Sequence, residues 1–286
     1  MILNAKPFVD FKINELKERV SNLLCPPTLA LIRVGNDPAS IKYVNNKIKR
    51  CEQVGIVSEV HELAEDATQR DVARLINRLN NNHNVTAILL QLPLPDHLDE
   101  NYLTNLINPE KDVDGFTATN TGKLSLGMDC NVACTPKGII DLLEFYEIDL
   151  ESKDVVIVNA SNIVGKPLAQ LFLQKGATPT ICHKQTKNLK DKVKSADIVV
   201  LATGNANFLG ADDFSEGTVI VDVSINFDDN GKMCGDIVKS DYEKLIDKDC
   251  YITPVPGGIG QCTVIALIEN TVIIKEREEN ILLFDF

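Results

Sequence analysis

The stretch VVIVNASNIVG (Val155–Gly165) decides the fold class of this chain. Four β-branched residues predict a buried strand, the polar residues after them predict a turn, and a helical pattern begins near Val164. A strand, turn and helix in this order point backbone N–H groups at an anion, as in dinucleotide-binding proteins. The usual fingerprint has three glycines, whereas this turn has only Gly165, so an ordinary βα turn is the alternative interpretation.

Strands and helices alternate on both sides of this stretch. Strands are predicted at Thr28–Val34, Ile56–Leu63, Thr86–Leu92, Asp154–Val158, Thr178–Cys182, Asp197–Ala202 and Thr218–Val223. Helices are predicted at Pro38–Val54, Thr68–Asn80, Lys137–Tyr146, Val164–Lys175 and Thr263–Lys275, and loops at Pro109–Gly127 and Pro254–Gly260. Such alternation is typical of parallel βαβ units, so we predict an α/β fold with two lobes around a cleft.

The composition narrows the classes of function. A formal net charge of −12 without a long basic run argues against nucleic-acid binding. No segment approaches the roughly 18 apolar residues of a membrane span, and the N-terminal MILNAKPFVDFK lacks the pattern of an export signal. The eight cysteines are scattered without a CxxC pair, which predicts reduced, buried thiols in the cytoplasm and no metal site.

A basic pair follows the second strand of the predicted nucleotide lobe. An acidic residue at this place favours the free ribose hydroxyl of NAD, whereas a basic residue accommodates a phosphate. His183 and Lys184 therefore favour NADP. A solvated lysine at a strand end is the simpler alternative.

Four polar residues of the first lobe are candidates for catalysis. Tyr43 and Lys47 are four apart on one predicted helix, where they share a face suited to ring stacking and acid–base chemistry. Gln91 ends a buried strand, where ligands bind in parallel sheets, and Asp114 on the next loop can grip adjacent N–H donors of a heterocycle. The alternatives are that Tyr43 and Lys47 lie on an ordinary helix surface, that Gln91 is a solvated strand end and that Asp114 caps a turn.

Seven stretches of the chain, in this order, resemble the bacterial bifunctional methylenetetrahydrofolate dehydrogenase/cyclohydrolases. They are VGNDPASIKYVNNKIKRCEQVGI (Val34–Ile56), AILLQLPLPDHL (Ala87–Leu98), PEKDVDGF (Pro109–Phe116), CTPKGI (Cys134–Ile139), ASNIVGKP (Ala160–Pro167), CHKQTKNL (Cys182–Leu189) and YITPVPGGIG (Tyr251–Gly260). Because the stretches span nearly the whole chain, the resemblance covers both lobes.

The resemblance implies a cytoplasmic homodimer joined through the second lobes. It implies a folate-binding catalytic α/β domain over residues 1–133, completed by the C-terminal helix 263–286, and a Rossmann-like NADP-binding domain over 134–262. The implied reactions are oxidation of 5,10-methylenetetrahydrofolate with NADP to the methenyl form and hydrolysis to 10-formyltetrahydrofolate, which serves one-carbon metabolism and purine biosynthesis. Tetrahydrofolate derivatives are then the partners. No metal is needed, because the methenyl cation is already electrophilic.

The resemblance also assigns residue roles. Lys47 is implied as the key cyclohydrolase residue, supported by Gln91, while Tyr43 stacks on the aminobenzoyl ring and Asp114 holds the pterin. The implied substrate-binding residues are Ser40, Tyr43, Leu92, Pro93, Asp114, Pro256, Gly257 and Gly258. The implied cofactor-binding residues are Asn159, Ala160, Ser161, Val164, Gly165, His183, Lys184, Thr186 and Ile225.

Five residues depart from the family pattern. Asn159 and Ser224 stand where glycine is usual, Ala133 replaces a proline, and Gln261-Cys262 replaces Pro-Met. We expect Asn159 to adopt a strained or left-handed backbone, because asparagine tolerates that region better than most residues. Asn159→Gly is then expected to bind NADP at least as tightly.

Three other functions are open at this point. A monofunctional cyclohydrolase or a folate-binding protein with a weakened nucleotide site would explain the departures. A non-catalytic dinucleotide sensor would give no reason for the first-lobe set of Tyr43, Lys47, Gln91 and Asp114. A general dehydrogenase of amino or hydroxy acids would give no reason for QLPLP or KDVDGF.

Overall fold

The structure, a computed structural model, describes residues 1–228 and 230–284. The helices are α1 Ala5–Ser21, α2 Pro38–Val54, α3 Gln69–Asn80, α4 Glu100–Asn105, α5 Ala118–Ser125, α6 Cys134–Phe145, α7 Gly165–Gln174, α8 Leu189–Ser195, α9 Tyr242–Asp247 and α10 Ile259–Phe284. The strands are β1 Thr28–Val34, β2 Val57–Leu63, β3 Ala87–Leu90, β4 Asp154–Val158, β5 Thr178–Cys182, β6 Ile198–Leu201, β7 Val219–Asp222, β8 Asn226–Phe227, β9 Met233–Cys234 and β10 Tyr251–Ile252. In this part of the chain, no helix is long and apolar enough to cross a membrane.

The chain divides into two compact units. One comprises Phe11–Cys134 and the chain from Val264 onward, and we call it the three-stranded unit. The other comprises Met1–Asp10 and Thr135–Thr263, and we call it the five-stranded unit. Both carry parallel sheets with helices between the strands, so the predicted α/β fold is confirmed.

The three-stranded unit has the strand order β2-β1-β3. The order reverses between β1 and β3, and ligands of open parallel sheets bind outside the carboxyl ends of strands at such a switch point. On one side, α3 packs against the sheet through Val72, Leu75, Ile76 and Leu79, the helical spacing that the sequence predicts. This packing fixes β1 and β3, from which the polar candidates of this unit emerge.

The five-stranded unit has the order β10-β7-β6-β4-β5. Its switch point lies between β4 and β6, which pair in parallel from Val155 with Ile198 to Val158 with Leu201. Apart from the exposed Asp154 that begins β4, the inner strands are buried and rich in β-branched residues, as expected for a sheet covered on both faces. A short antiparallel pair, β8 with β9, follows β7.

The structure differs from the sequence-based prediction in several segments. The region 109–127 was predicted as a loop, but Thr117 caps the helix α5 there by accepting a hydrogen bond from the Asn120 amide at 3.3 Å. The closing helix begins at Ile259, four residues before the predicted start. The prediction also lacked α1, α4, α8 and α9, of which α1 has only a weakly amphipathic pattern.

The N-terminal residues have their contacts in the five-stranded unit. Met1–Asp10 group with that unit, apart from the rest of the first 134 residues. Ile2 forms a parallel bridge with Ile252, and the Leu3 amide donates to the Ile252 carbonyl at 2.8 Å. Backbone pairing at the edge of β10 therefore decides the position of this segment. No local sequence pattern predicts this pairing.

Candidate active site

Helix α2 carries Tyr43 and Lys47, and both of its ends are well defined. The Asp37 carboxylate caps the N-terminus by accepting from the Ser40 amide at 2.7 Å, which leaves Ser40 in the first turn. Gly55 ends the helix in the left-handed region, with φ of 96°. Tyr43 is 42% exposed, and partial burial raises the pKa of its hydroxyl. Its ring is thus available to a ligand.

Gln91 meets Lys47 at the end of β3. The Lys47 Nζ donates to the Gln91 Oε1 at 3.0 Å, and the Gln91 Nε2 donates to the Leu92 carbonyl at 2.6 Å. Because β3 and the β1–α2 connection flank the switch point, the strand order itself brings these side chains together. Leu92 is half-buried and Pro93 is exposed on the same turn.

Asp114 lies on a loop that is tied to β3. The Ile88 amide donates to the Lys111 carbonyl at 2.7 Å, and Asp112 accepts from the Thr117 amide at 2.8 Å. Burial raises the pKa of the Asp114 carboxyl, and the nearby Lys47 ammonium opposes that shift. Lys47, Gln91 and Asp114 therefore form one polar cluster in the three-stranded unit.

Two further residues support this cluster, and the sequence analysis missed both. Asn270 on α10 is buried and donates through its Nδ2 to the Val113 carbonyl at 2.9 Å and to the Val132 carbonyl at 2.8 Å. Cys134 packs beside Asp114, and burial raises the pKa of its thiol well above the usual range. A buried amide inside the apolar run IALIENTVII was the only sequence signal for Asn270.

A cavity of about 410 Å³ opens at the switch point of the five-stranded unit. The ends of β4, β5 and β6 line it, among them Asn159, Ala160, His183, Lys184 and Thr186. Gly165 begins α7 directly against the end of β4, where a Cβ would collide with the Asn159 carbonyl oxygen. Close helix–strand contact at a glycine is the geometry that a pyrophosphate site requires, so these residues fit a dinucleotide.

The expectation for the Asn159 backbone is wrong. Asn159 is not among the residues with positive φ. Its side chain instead ties the turn together, since the Oδ1 accepts from the Ser161 amide at 2.8 Å and from the Gly165 amide at 3.0 Å. A side-chain acceptor thus organises the turn where the usual fingerprint has glycine.

The other predicted cofactor residues lie around the same cavity or near it. His183 and Lys184 are exposed, and the His183 amide donates to the Thr186 hydroxyl at 2.9 Å. The Val164 amide donates to the Ser161 hydroxyl at 3.1 Å, just before α7 begins. Ile225 is exposed after β7 and does not line the cavity.

The predicted residues Pro256, Gly257 and Gly258 lie in the five-stranded unit. Pro256 is exposed, and Gly257 has φ of 113°. A Cβ on Gly258 would lie 2.6 Å from the Pro254 carbonyl oxygen, so only glycine fits there. Lys47 thus lies in one unit and this glycine loop in the other.

The chemistry available is acid–base chemistry in one unit and nucleotide binding in the other. The Lys47 ammonium can hold or release a proton, and the Asp114 carboxyl can pair with the N–H donors of a heterocycle. Within residues 1–228 and 230–284, no group of three His, Cys, Asp or Glu side chains could hold a metal ion.

Comparisons with known proteins agree on one family. The tetrahydrofolate dehydrogenase/cyclohydrolase catalytic domain matches residues 3–114, and the NAD(P)-binding domain of the same family matches residues 133–279. A bifunctional protein FolD from Lachnoclostridium phytofermentans is 46% identical over 275 residues, which is 95% of this chain and 96% of the relative.

Two solved structures show the same likeness. The bifunctional enzyme FolD, a methylenetetrahydrofolate dehydrogenase/cyclohydrolase from Campylobacter jejuni, has a TM-score of 0.94 and 44% identity, covering 97% of this chain and 99% of that one. The Trypanosoma brucei enzyme, complexed with NADP cofactor and inhibitor, has a TM-score of 0.90 and 30% identity, covering 97% of this chain and 98% of that one.

Proposed function

Because the chain belongs to the tetrahydrofolate dehydrogenase/cyclohydrolase family, we propose that it catalyses two consecutive reactions of one-carbon metabolism. It oxidises 5,10-methylenetetrahydrofolate to 5,10-methenyltetrahydrofolate with NADP, and it hydrolyses the methenyl product to 10-formyltetrahydrofolate. The observation that carries this conclusion is the hydrogen bond of 3.0 Å between Lys47 and Gln91, beside Asp114 in the three-stranded unit.

Lys47 acts in the hydrolysis. Water attacks the electrophilic methenyl carbon and loses a proton, after which one bridging nitrogen must gain a proton to leave as a neutral amine. An ammonium that can exchange protons with both sites performs this transfer, and Gln91 holds it in position through the Oε1. Tyr43 stacks on the aminobenzoyl ring of the folate, and Asp114 holds the pterin through its N–H donors.

The substrate-binding set is proposed on both units. In the three-stranded unit it comprises Ser40, Tyr43, Leu92, Pro93 and Asp114. In the five-stranded unit it comprises Pro256, Gly257 and Gly258, of which Gly258 tolerates no side chain. The Pro254 carbonyl oxygen excludes a Cβ at Gly258, so the loop keeps a backbone that only glycine permits.

NADP supplies the acceptor of the hydride that the methylene carbon gives up. In the five-stranded unit, the Asn159–Gly165 turn would hold the pyrophosphate, and Lys184 with His183 would face the 2′-phosphate at the end of β5. Ala160, Ser161, Val164 and Thr186 complete the proposed set. We also place Ile225 in it, although that residue lies outside the cavity lining.

We further propose a cytoplasmic homodimer whose product serves purine biosynthesis. All eight cysteines are free, which suits a reducing compartment. Strand β5 forms one edge of the five-stranded sheet and exposes 37% of Ile181, while Leu173 on the adjacent α7 is 59% exposed. An uncovered edge with apolar neighbours is a common place for a second copy to pair.

A coupled assay of the whole chain tests the two activities. Methylenetetrahydrofolate with NADP is expected to yield NADPH and 10-formyltetrahydrofolate, with the methenyl form as a transient. Hydrolysis of added methenyltetrahydrofolate without any NADPH formation from the methylene substrate would favour a monofunctional cyclohydrolase instead. Failure of both reactions would exclude the proposal.

A further inference from the structure

The segment Ala202–Asn205, which follows β6, forms part of the nucleotide cavity. Ala202, Thr203 and Asn205 line that cavity directly. Gly204 within the segment has φ of 70°, a left-handed conformation that glycine adopts about as readily as others. Such a segment keeps one conformation only if contacts from outside hold it.

One side of the segment is held by a buried polar pair, Asp236 and Ser224. The Thr203 amide donates to the Asp236 Oδ2 at 2.7 Å, the Gly204 amide to the Ser224 Oγ at 3.0 Å, and the Asn205 amide to the Asp236 Oδ1 at 3.1 Å. The Ser224 hydroxyl in turn donates to the Asp236 Oδ2 at 2.8 Å. Three consecutive amides therefore end on two side chains.

The side chains that accept these hydrogen bonds, Asp236 and Ser224, are buried. Asp236 is 0% exposed and Ser224 is 8% exposed. A carboxylate removed from water needs donors in fixed places, and Asp236 receives four, of which the Asn226 Nδ2 is the last, at 3.0 Å. The cost of leaving any donor or acceptor unpaired there holds the segment in one arrangement.

The other side of the segment is held by Asn159. Its Nδ2 donates to the Ala202 carbonyl at 2.7 Å, while its Oδ1 organises the turn before α7. One side chain thus joins the pyrophosphate turn to the end of β6. A glycine at position 159 or 224 would have no side chain to make these bonds.

We propose that Asn159 and Ser224 are paired positioning residues, which brace the Ala202–Asn205 segment from two sides and thereby set the affinity for NADP. The inference rests on the proposed use of NADP. It reverses the expectation that Asn159→Gly binds NADP at least as tightly, because the structure shows that the asparagine side chain is part of the brace.

A double-mutant cycle tests the pairing. NADP affinity is measured by calorimetry for the wild type, Asn159→Gly, Ser224→Ala and the double variant, with Ser215→Ala as control. Ser215 also makes a hydrogen bond through its hydroxyl in this unit, to the Lys194 carbonyl, but it does not line the nucleotide cavity. The melting temperature and the cyclohydrolase rate report folding for every variant.

Asn159→Gly and Ser224→Ala are each expected to weaken NADP binding by about 3- to 10-fold, the usual contribution of one hydrogen bond. The KM for NADP should rise while the KM for methylenetetrahydrofolate changes by less than about twofold, and Ser224→Thr should restore most of the affinity. The double variant should lose less than the product of the single losses, because a segment released on one side is already free to move.

The outcomes separate the brace from the proposed function. A wild-type chain that binds no NADP overturns the dehydrogenase assignment, and the brace with it. Wild-type binding with unchanged affinity in Asn159→Gly and Ser224→Ala overturns the brace alone. Losses that multiply in the double variant show two independent hydrogen bonds and overturn the pairing.

Discussion

At the scale of single residues, the candidate active site contains residues proposed to take part in the chemistry and residues that hold them in position. Lys47 is proposed to carry the proton chemistry, and its ammonium donates one hydrogen bond of 3.0 Å to the Gln91 side chain. Spacing along α2 predicts that Tyr43 and Lys47 share a face, whereas the resemblance to the family implies that Gln91 supports Lys47. The pairing of the two side chains is a tertiary contact, which spacing alone does not give.

Lys184 tests the choice of cofactor. It is exposed at the end of β5, where the 2′-phosphate of NADP is proposed to bind. Lys184→Ala should weaken NADP by roughly 10-fold, the usual loss for a charged hydrogen bond, and should leave NAD binding nearly unchanged. Titrations with both nucleotides decide the question, and an equal loss for NAD and NADP would contradict the assignment.

At the scale of elements, the helices whose ends carry local sequence signals were predicted, whereas those that depend on tertiary contacts were missed. The bounds of α2 follow from Asp37, Pro38 and Gly55, because a cap, a first-turn proline and a left-handed glycine are written into the sequence. Helix α5 was missed because its residues, ATNTGKLS, lack an apolar period, and it depends on the Thr117 cap and on Asp112. Backbone pairing with β10 likewise gives Met1–Asp10 their contacts in the five-stranded unit, which local sequence does not indicate.

Helix α10 contacts the loop before Asp114, the proposed pterin-binding residue, through Asn270. Removing the amide in Asn270→Ala takes a donor from the Val132 carbonyl and leaves the Val113 carbonyl only the weak Cys134 thiol donor at 3.5 Å, which should cost about 1–3 kcal/mol of stability. The loop before Asp114 should then loosen, so the KM for the folate substrate should rise several-fold while the KM for NADP stays near that of the wild type.

The matched control for this prediction is Thr271→Val on the same helix. The Thr271 hydroxyl is buried and donates to the Leu267 carbonyl within α10. This variant should lose stability without a change in the KM for folate. If both variants raise that KM equally, Asn270 supports only the helix, and its proposed link to Asp114 is wrong.

At the scale of the whole molecule, the two units carry different parts of the reaction. The three-stranded unit holds the acid–base cluster, and the five-stranded unit holds the nucleotide cavity. The sequence predicted both parallel folds because buried β-branched strands alternate with helices. It could not reveal Asn270, Asp236 or Ser224 as supports, because their partners are backbone groups far away along the chain.

The proposed homodimer predicts a mass of twice 31.5 kDa in solution. Light scattering coupled to size exclusion measures it. Ile181→Glu, which places a charge on the exposed edge strand β5, should shift the equilibrium toward the monomer, because pairing would bury that charge. A wild-type chain that remains a monomer at micromolar concentration would rule out the dimer.

Lys47 is the residue on which the proposed hydrolysis depends most, so the decisive measurement is the rate of both half-reactions on one preparation of Lys47→Met. Methionine replaces the unbranched apolar stem of the lysine but removes the ammonium that donates to Gln91. Hydrolysis needs a proton for the leaving nitrogen, whereas hydride transfer is driven by the nitrogen lone pair and needs none. Cyclohydrolase should therefore fall by about 10²–10⁴-fold, while dehydrogenase activity survives in part and methenyltetrahydrofolate accumulates. A cyclohydrolase rate near that of the wild type would contradict the account, and an equal loss of both activities would show that Lys47 serves binding or folding instead.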